Sequence, residues 1–264
     1  MTRIIAIANQ KGGVGKTTTG INLSSGLAEM RCRVLLIDID PQGNATVGLG
    51  VDAYQSAATT CEVLLGEVKA ADAIQQLPES GLDLMPANPD LTAAEVELTR
   101  QQGGEKRLNE ALRDLPGRYD YVLIDCPPAL NLLTLNALVA AHGVLIPMQC
   151  EYYAMEGLTA LINTIKQVQS NVNPRLEIEG LVRTMYDVRN NLSGEVSRQL
   201  LEYFGDKVYR TVIPRNVRVA EAPSFGQPVL GYDRGSRGSL AYLGLAGEFL
   251  RRNSATPAAV QEAG

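Results

Sequence analysis

Residues 3–18 read RIIAIANQKGGVGKTT. An apolar, β-branched run ends at Ala8, a loop containing Gly12, Gly13 and Gly15 follows, and an amphipathic stretch, TTTGINLSSGLAEM, opens at Thr17. The loop fits the phosphate-binding pattern G-x-x-x-x-G-K-[ST] at Gly15, Lys16 and Thr17, while Gln10 stands where the first glycine belongs. Strand, loop and helix in that order are the context such a loop requires. Backbone N–H groups at a helix amino terminus point at an anion, the helix dipole adds partial positive charge, and glycines let the backbone approach closely. Lys16 would reach the β and γ phosphates of a nucleotide, and the Thr17 hydroxyl would hold Mg²⁺. The competing reading is a chance glycine-rich turn. Lys11, five residues before Lys16, has no role in the ordinary pattern.

The same alternation continues outward. Apolar runs at 33–39, 82–87, 119–126, 143–148, 176–185 and 207–213 read as strands buried on both faces. Helical periodicity falls at 16–31, 105–114, 131–141, 154–170, 194–204 and 237–252. This predicts an α/β fold with a doubly wound, mostly parallel sheet flanked by helices, whose ligand lies at the carboxyl ends of the strands. We expect a single domain over residues 1–252 and a disordered tail over 253–264, where NSATPAAVQEAG has little to bury.

Two acidic elements accompany the loop. YVLIDCPP places Asp125 at the end of an apolar strand, where a carboxylate binds Mg²⁺ directly or through water. LLIDIDPQGN places Asp38 and Asp40 two apart, pointing the same way at a strand end. Asp40, beyond the strand proper, is the better candidate to orient an attacking water, and Asp38 reads as structural; the alternative for Asp40 is a turn-initiating Asp-Pro.

Composition narrows the class. The 264 residues are 45% hydrophobic, enough for a substantial core, and carry a net charge of −5, which argues against bulk attraction to nucleic acid. Residues 176–252 hold 11 Lys and Arg against 9 Asp and Glu, a net of +2, so a local basic patch stays open. Cys32, Cys61, Cys126 and Cys150 show no metal or disulfide spacing and read as buried reduced thiols. Neither a signal peptide nor a membrane-spanning run is evident, and a cytoplasmic protein is expected.

KGGVGKTT, DIDPQGN, YVLIDCPP, PMQCEYYAMEG, TMYDVRNNLS and IPRNVRVAEAPSFGQPV together resemble the ParA/Soj branch of the deviant Walker A ATPases, relatives of MinD, from about residue 3 to about 250. The resemblance implies a P-loop nucleotidase that uses ATP and Mg²⁺. It implies that Lys11 crosses the interface of an ATP-dependent homodimer to the partner's phosphates; the other reading is a solvated loop lysine. Lys11, Gly12, Gly13, Val14, Gly15, Lys16, Thr17 and Thr18 would surround the phosphates, with Met185, Pro214, Arg215 and Asn216 around adenine. Thr17, Asp40 and Asp125 would serve the metal, Asp40 would position water, Lys11 and Lys16 would join it in catalysis, and Pro127-Pro128 would sense the γ phosphate. Arg189 and Arg218 match positions that bind double-stranded DNA without sequence preference, the other reading being solvated surface charge. A ParB-type centromere-binding protein would stimulate an otherwise slow hydrolysis, placing the chain on the nucleoid and driving DNA segregation. The alternative is a MinD-like or scaffold-type positioning ATPase, disfavoured because the tail has no basic amphipathic helix; specific operator binding is not expected.

Overall fold

The computed structural model describes residues 2–254, apart from 114, 116 and 153. In chain order its elements are β1 (Arg3–Ile7), α1 (Lys16–Glu29), β2 (Val34–Asp38), α2 (Asn44–Gly48), α3 (Thr60–Leu65), β3 (Gln75–Leu77), β4 (Leu82–Met85), α4 (Leu91–Arg100), α5 (Arg107–Leu112), β5 (Tyr121–Asp125), α6 (Leu132–Ala140), β6 (Gly143–Gln149), α7 (Ala154–Asn171), β7 (Glu177–Tyr186), α8 (Asn191–Phe204), β8 (Val208–Pro214), α9 (Val217–Glu221), α10 (Val229–Tyr232) and α11 (Arg237–Ser254). The strands form one sheet of eight in the order β3-β4-β2-β5-β1-β6-β7-β8. Every pairing is parallel except β3 with β4.

Strand alternation divides the core into two layers. Ala6, Leu35, Ile37, Val122 and Ile124 face one side, with buried residues of α3 to α7; Ile5, Ile7, Leu36, Leu123 and Leu145 face the other, with α1 and α11. Both faces of the central strands are therefore dry, which is why their sequences are continuous apolar runs. β1, β2 and β5 end together, with Asp125 level with Ile7 on one side and with Asp38 on the other. The loops after these three ends build the site.

The boundaries correct several expectations. α1 stops at Glu29, two residues early, where Arg31 turns into a left-handed conformation (φ 64°). α11 runs to Ser254, and the Asn253 amide donates to Glu179 and to the Phe249 carbonyl, so this residue of the expected disordered tail belongs to the fold; residues 255–264 lie outside the described residues. Cys32 is half-buried, unlike the other three cysteines. β3, α2, α3, α4, α9 and α10 were not expected.

One clasp braces the segment that follows Asp40. Gly50 and Gly226 are both left-handed, and a Cβ on Gly226 would stand 2.7 Å from the Gly50 Cα. Backbone packs on backbone there, and no side chain fits. Gly226→Ala is expected to cost about 2–4 kcal/mol from strain and overpacking. In thermal unfolding that is a Tm loss of roughly 5–15 °C for a chain of this size; an unchanged Tm would mean the two loops are not pressed together.

Candidate nucleotide and metal site

The phosphate loop is pinned at both ends. Asn9 is buried, its amide donates to the Pro147 carbonyl (2.8 Å) and its oxygen accepts the Lys11 N–H (3.0 Å). Gly15 is left-handed (φ 87°) at the N-cap of α1, a conformation that only glycine adopts without strain, and no side chain caps the helix. The N–H groups of the first turn have no intrahelical acceptor and are open to an anion. Lys16 bends back over the loop, its Nζ donating to the Lys11 carbonyl at 3.3 Å. Burial lowers its pKa, while the charges of Asp125 and Asp40 oppose the shift.

Gly12, Gly13, Gly15, Lys16, Thr17 and Thr18 line a cavity of about 550 Å³, together with Asp40 and Pro128. Met185, Pro214, Arg215 and Asn216 line the same cavity. The structure thus brings the residues expected at phosphate and at adenine, separated by about 170 positions in the chain, into the lining of one cavity. Met185 is left-handed at φ 47°, rare for a side chain of its size, and Asn216 lends its oxygen to the Val219 N–H as the cap of α9.

Asp38 and Asp40 divide as their positions suggested. The Asp38 carboxylate accepts from the Thr46 N–H (2.9 Å), the Thr46 hydroxyl (2.8 Å) and the Asp40 N–H (3.1 Å). Burial pushes its pKa up to about 6 against those hydrogen bonds. Its oxygens hold α2 in place and are unavailable to a ligand. Asp40 lines the cavity and commits one oxygen, to the Gln42 N–H at 3.0 Å.

Asp125 is fully buried, and neither of its oxygens has a hydrogen bond. Burial, and next the charge of Asp38, raises its pKa well above the carboxylate range; the Thr17 hydroxyl stands beside it and draws it back, short of hydrogen-bonding geometry. An orphaned carboxylate with a hydroxyl next to it fits a divalent cation, which would satisfy both. Among the described residues no three His, Cys, Asp or Glu side chains gather around a point that could hold a metal. A site of one or two carboxylates, a hydroxyl and substrate phosphates is the pattern of Mg²⁺.

Other expected residues lie outside the cavity wall. Val14 is buried beneath the loop. Lys11 is half-exposed and its ammonium is ion-paired with Glu151. Arg189 and Arg218 are on the surface, Arg189 gripped by Asp187 and Arg218 by Glu221 and Asp233. His142 accepts the Ile4 N–H at the amino-terminal end of β1, opposite the site, so no histidine serves as a base there.

Thr184 is a residue the sequence did not single out. Its hydroxyl donates to the Val14 carbonyl at 2.7 Å, and its methyl side packs against Gly15, so the end of β7 both lines the cavity and holds the phosphate loop in shape. Its place beside Met185 in TMYDV was the available signal. Thr184→Val keeps the volume and strands a buried carbonyl, so nucleotide affinity is expected to fall roughly tenfold. Thr184→Ser restores it within about threefold if the hydroxyl is what matters; titration with a fluorescent ATP analogue reads both.

The comparisons place the chain. A family model described as AAA domain matches residues 2–178. The chain is 55% identical over 252 residues to the chromosome partitioning protein ParA of Caulobacter vibrioides, with 95% of this chain and 94% of that one covered. It is 52% identical over 248 residues to the sporulation initiation inhibitor protein Soj of Bacillus subtilis, with 94% and 98% covered. Among solved structures, cobyrinic acid a,c-diamide synthase from Mycobacterium smegmatis with bound ADP and magnesium superposes with a TM-score of 0.85 at 40% identity, covering 97% of each chain. With its glycine loop, its second lysine and matches of this extent, the chain belongs to the ParA/Soj family of chromosome-partitioning ATPases.

Proposed function

We propose that this chain is an ATP-dependent dimerising switch that binds DNA without sequence preference and hydrolyses ATP when a ParB-type partner stimulates it, driving DNA segregation on the nucleoid in the cytoplasm. The observation that carries the reading is that Lys16, Thr17 and Asp40 line one cavity, with the orphaned carboxylate of Asp125 buried beside Thr17 and a second lysine, Lys11, outside the cavity wall.

Bound Mg²⁺ would supply positive charge that polarises the phosphate and offsets charge developing in the reaction. The chain's own groups do the rest. The first-turn N–H groups of α1 and Lys16 bind the phosphates, Thr17 and Asp125 would hold the cation, and the free oxygen of Asp40 orients a water. Lys11 leaves Glu151 when a second copy presents its phosphates, because charge repulsion across a two-fold interface has to be neutralised from both sides. Loss of the γ phosphate removes much of that demand, and the dimer parts. Asp40 has no histidine beside it to act as a strong base, so hydrolysis by the isolated chain is slow.

Phosphate release measured alone, with duplex DNA, and with DNA plus a ParB-type protein tests this. Slow release alone and a rise of at least about tenfold with both additions is the expected result. Fast release by the isolated chain would sink the switch. Release indifferent to DNA and partner, yet coupled to a small-molecule acceptor, would favour the metabolic chemistry that the name of the Mycobacterium smegmatis structure suggests.

A further inference from the structure

The carboxyl ends of β7 and β8 open onto a second groove, of about 870 Å³, which shares Pro214 and Arg215 with the nucleotide cavity. Three arginines line it: Arg189 from the loop after β7, Arg215 just after β8, and Arg237, the first residue of α11. Its one carboxylate is Asp187. Asp187 grips Arg189 with both oxygens, at 3.0 Å from Nε and 2.8 Å from Nη2, and these bonds hold its pKa down at about 2. Arg215 acts on Asp187 through space without bonding it, and among the described residues neither Arg215 nor Arg237 forms an ion pair. Three guanidinium groups against one carboxylate leave the groove with excess positive charge on a chain whose net charge is −5.

Arg218 is a contrast. It is held by Glu221 at 2.9 Å and by Asp233 at 3.4 Å, so its charge is matched twice within the chain. In the groove, by contrast, Arg215 and Arg237 have no carboxylate partner among the described residues. Its lining contains no Asn or Gln, the side chains that read adenine edges, and two exposed apolar residues, Val188 and Leu240, stand among the arginines. Guanidinium forks suit phosphate oxygens, and apolar side chains suit the sugars between them.

We propose that this groove seats the phosphate backbone of duplex DNA, with Arg215 and Arg237 acting alongside Arg189, and that Arg215, which walls both spaces, ties nucleotide occupancy to DNA contact inside each protomer. The proposal rests on the DNA-binding part of the function above. It adds a coupling to the one that dimerisation supplies: a nucleotide against Pro214 and Arg215 limits where that guanidinium can point, before any second copy arrives.

Fluorescence anisotropy of a nonspecific duplex with the ATP-bound protein, across about 50–200 mM salt, tests it through the slope of log affinity against log salt. Arg237→Ala removes one phosphate contact per protomer and is expected to make the slope shallower by about 0.9 for each protomer engaged. Arg237→Lys, which keeps the charge, is expected to retain most of the slope. Asp187→Asn keeps the oxygen that accepts the Arg189 N–H and removes the charge that masks the guanidinium, so it is expected to bind the duplex more tightly. A gain of affinity cannot come from a damaged fold, which separates the proposal from a structural role for these residues. Unchanged slopes in Arg237→Ala and unchanged affinity in Asp187→Asn, with a wild type that binds, would overturn the groove and leave the switch standing. A wild type that ignores the duplex even with ATP would bring down the DNA reading itself. Anionic phosphatidylglycerol vesicles taken up in place of DNA, with the same dependence on Arg237, would assign the groove to a membrane surface and overturn the proposal.

Discussion

Asp40→Ala is expected to keep ATP binding and to lose turnover by about 10²- to 10⁴-fold. The carboxylate stands in the cavity wall with one oxygen fixed by the Gln42 N–H, and it makes no bond that holds the loop beyond that one. Structural work at this corner falls to Asp38, through Thr46, so α2 survives the substitution. ATP is then held without being spent, and the ATP-bound form accumulates. Single-turnover hydrolysis beside an equilibrium nucleotide titration separates the two quantities. A matched fall in affinity and turnover would place Asp40 in binding, and normal turnover would move the water-positioning role elsewhere.

Lys11→Ala is expected to bind nucleotide as one chain and fail to pair. The side chain lies outside the cavity of its own chain, where its partner is Glu151, and the loop carbonyl that Lys16 uses belongs to the backbone and survives. In a two-fold dimer each lysine is lost twice. Removing one cation from a desolvated charge pair costs about 2–5 kcal/mol, so two losses weaken the dimer by at least about a thousandfold. The exposed pair with Glu151 contributes little to stability, and the variant should melt close to the wild type. Light scattering with ATP reads the mass; a dimer that still forms would return Lys11 to the role of a solvated loop lysine.

How far the chain could be read in advance followed from the range of each signal. The parallel strands were visible because two dry faces leave no polar positions, as in VLLID and YVLID. β3, the polar tripeptide QQL at the sheet edge, carries no such mark, and its antiparallel pairing with β4 comes from a turn too short to cross the sheet. α3 carries a local mark: Thr59 and Glu62 form a capping box whose spacing stands in the sequence. Asn190 likewise caps α8 and starts it at Asn191, three residues before the apolar periodicity alone suggests.

At the site, Lys16, Thr17 and Asp40 were legible because their chemistry sits in contiguous motifs. The Thr184 to Val14 bond spans 170 residues and the Lys11 to Glu151 pair spans 140, distances over which periodicity says nothing. Asp125 was legible as an acid ending a strand; that both its oxygens are orphaned needed the folded chain. The charge of Arg189 and Arg218 could be read, but their carboxylate partners, and the open guanidinium groups of Arg215 and Arg237, follow from how β7, β8 and α11 converge.

The central claim is that ATP gates DNA binding through a dimer. Its most direct test is the binding of a nonspecific duplex, with mass followed by light scattering, in ATP, in ADP and without nucleotide, for the wild type and Lys11→Ala. The account predicts binding with ATP alone, a doubled mass in the same samples, and loss of both in Lys11→Ala. A dimer that forms with ATP and ignores DNA, or DNA binding that is equal in ADP, would contradict it.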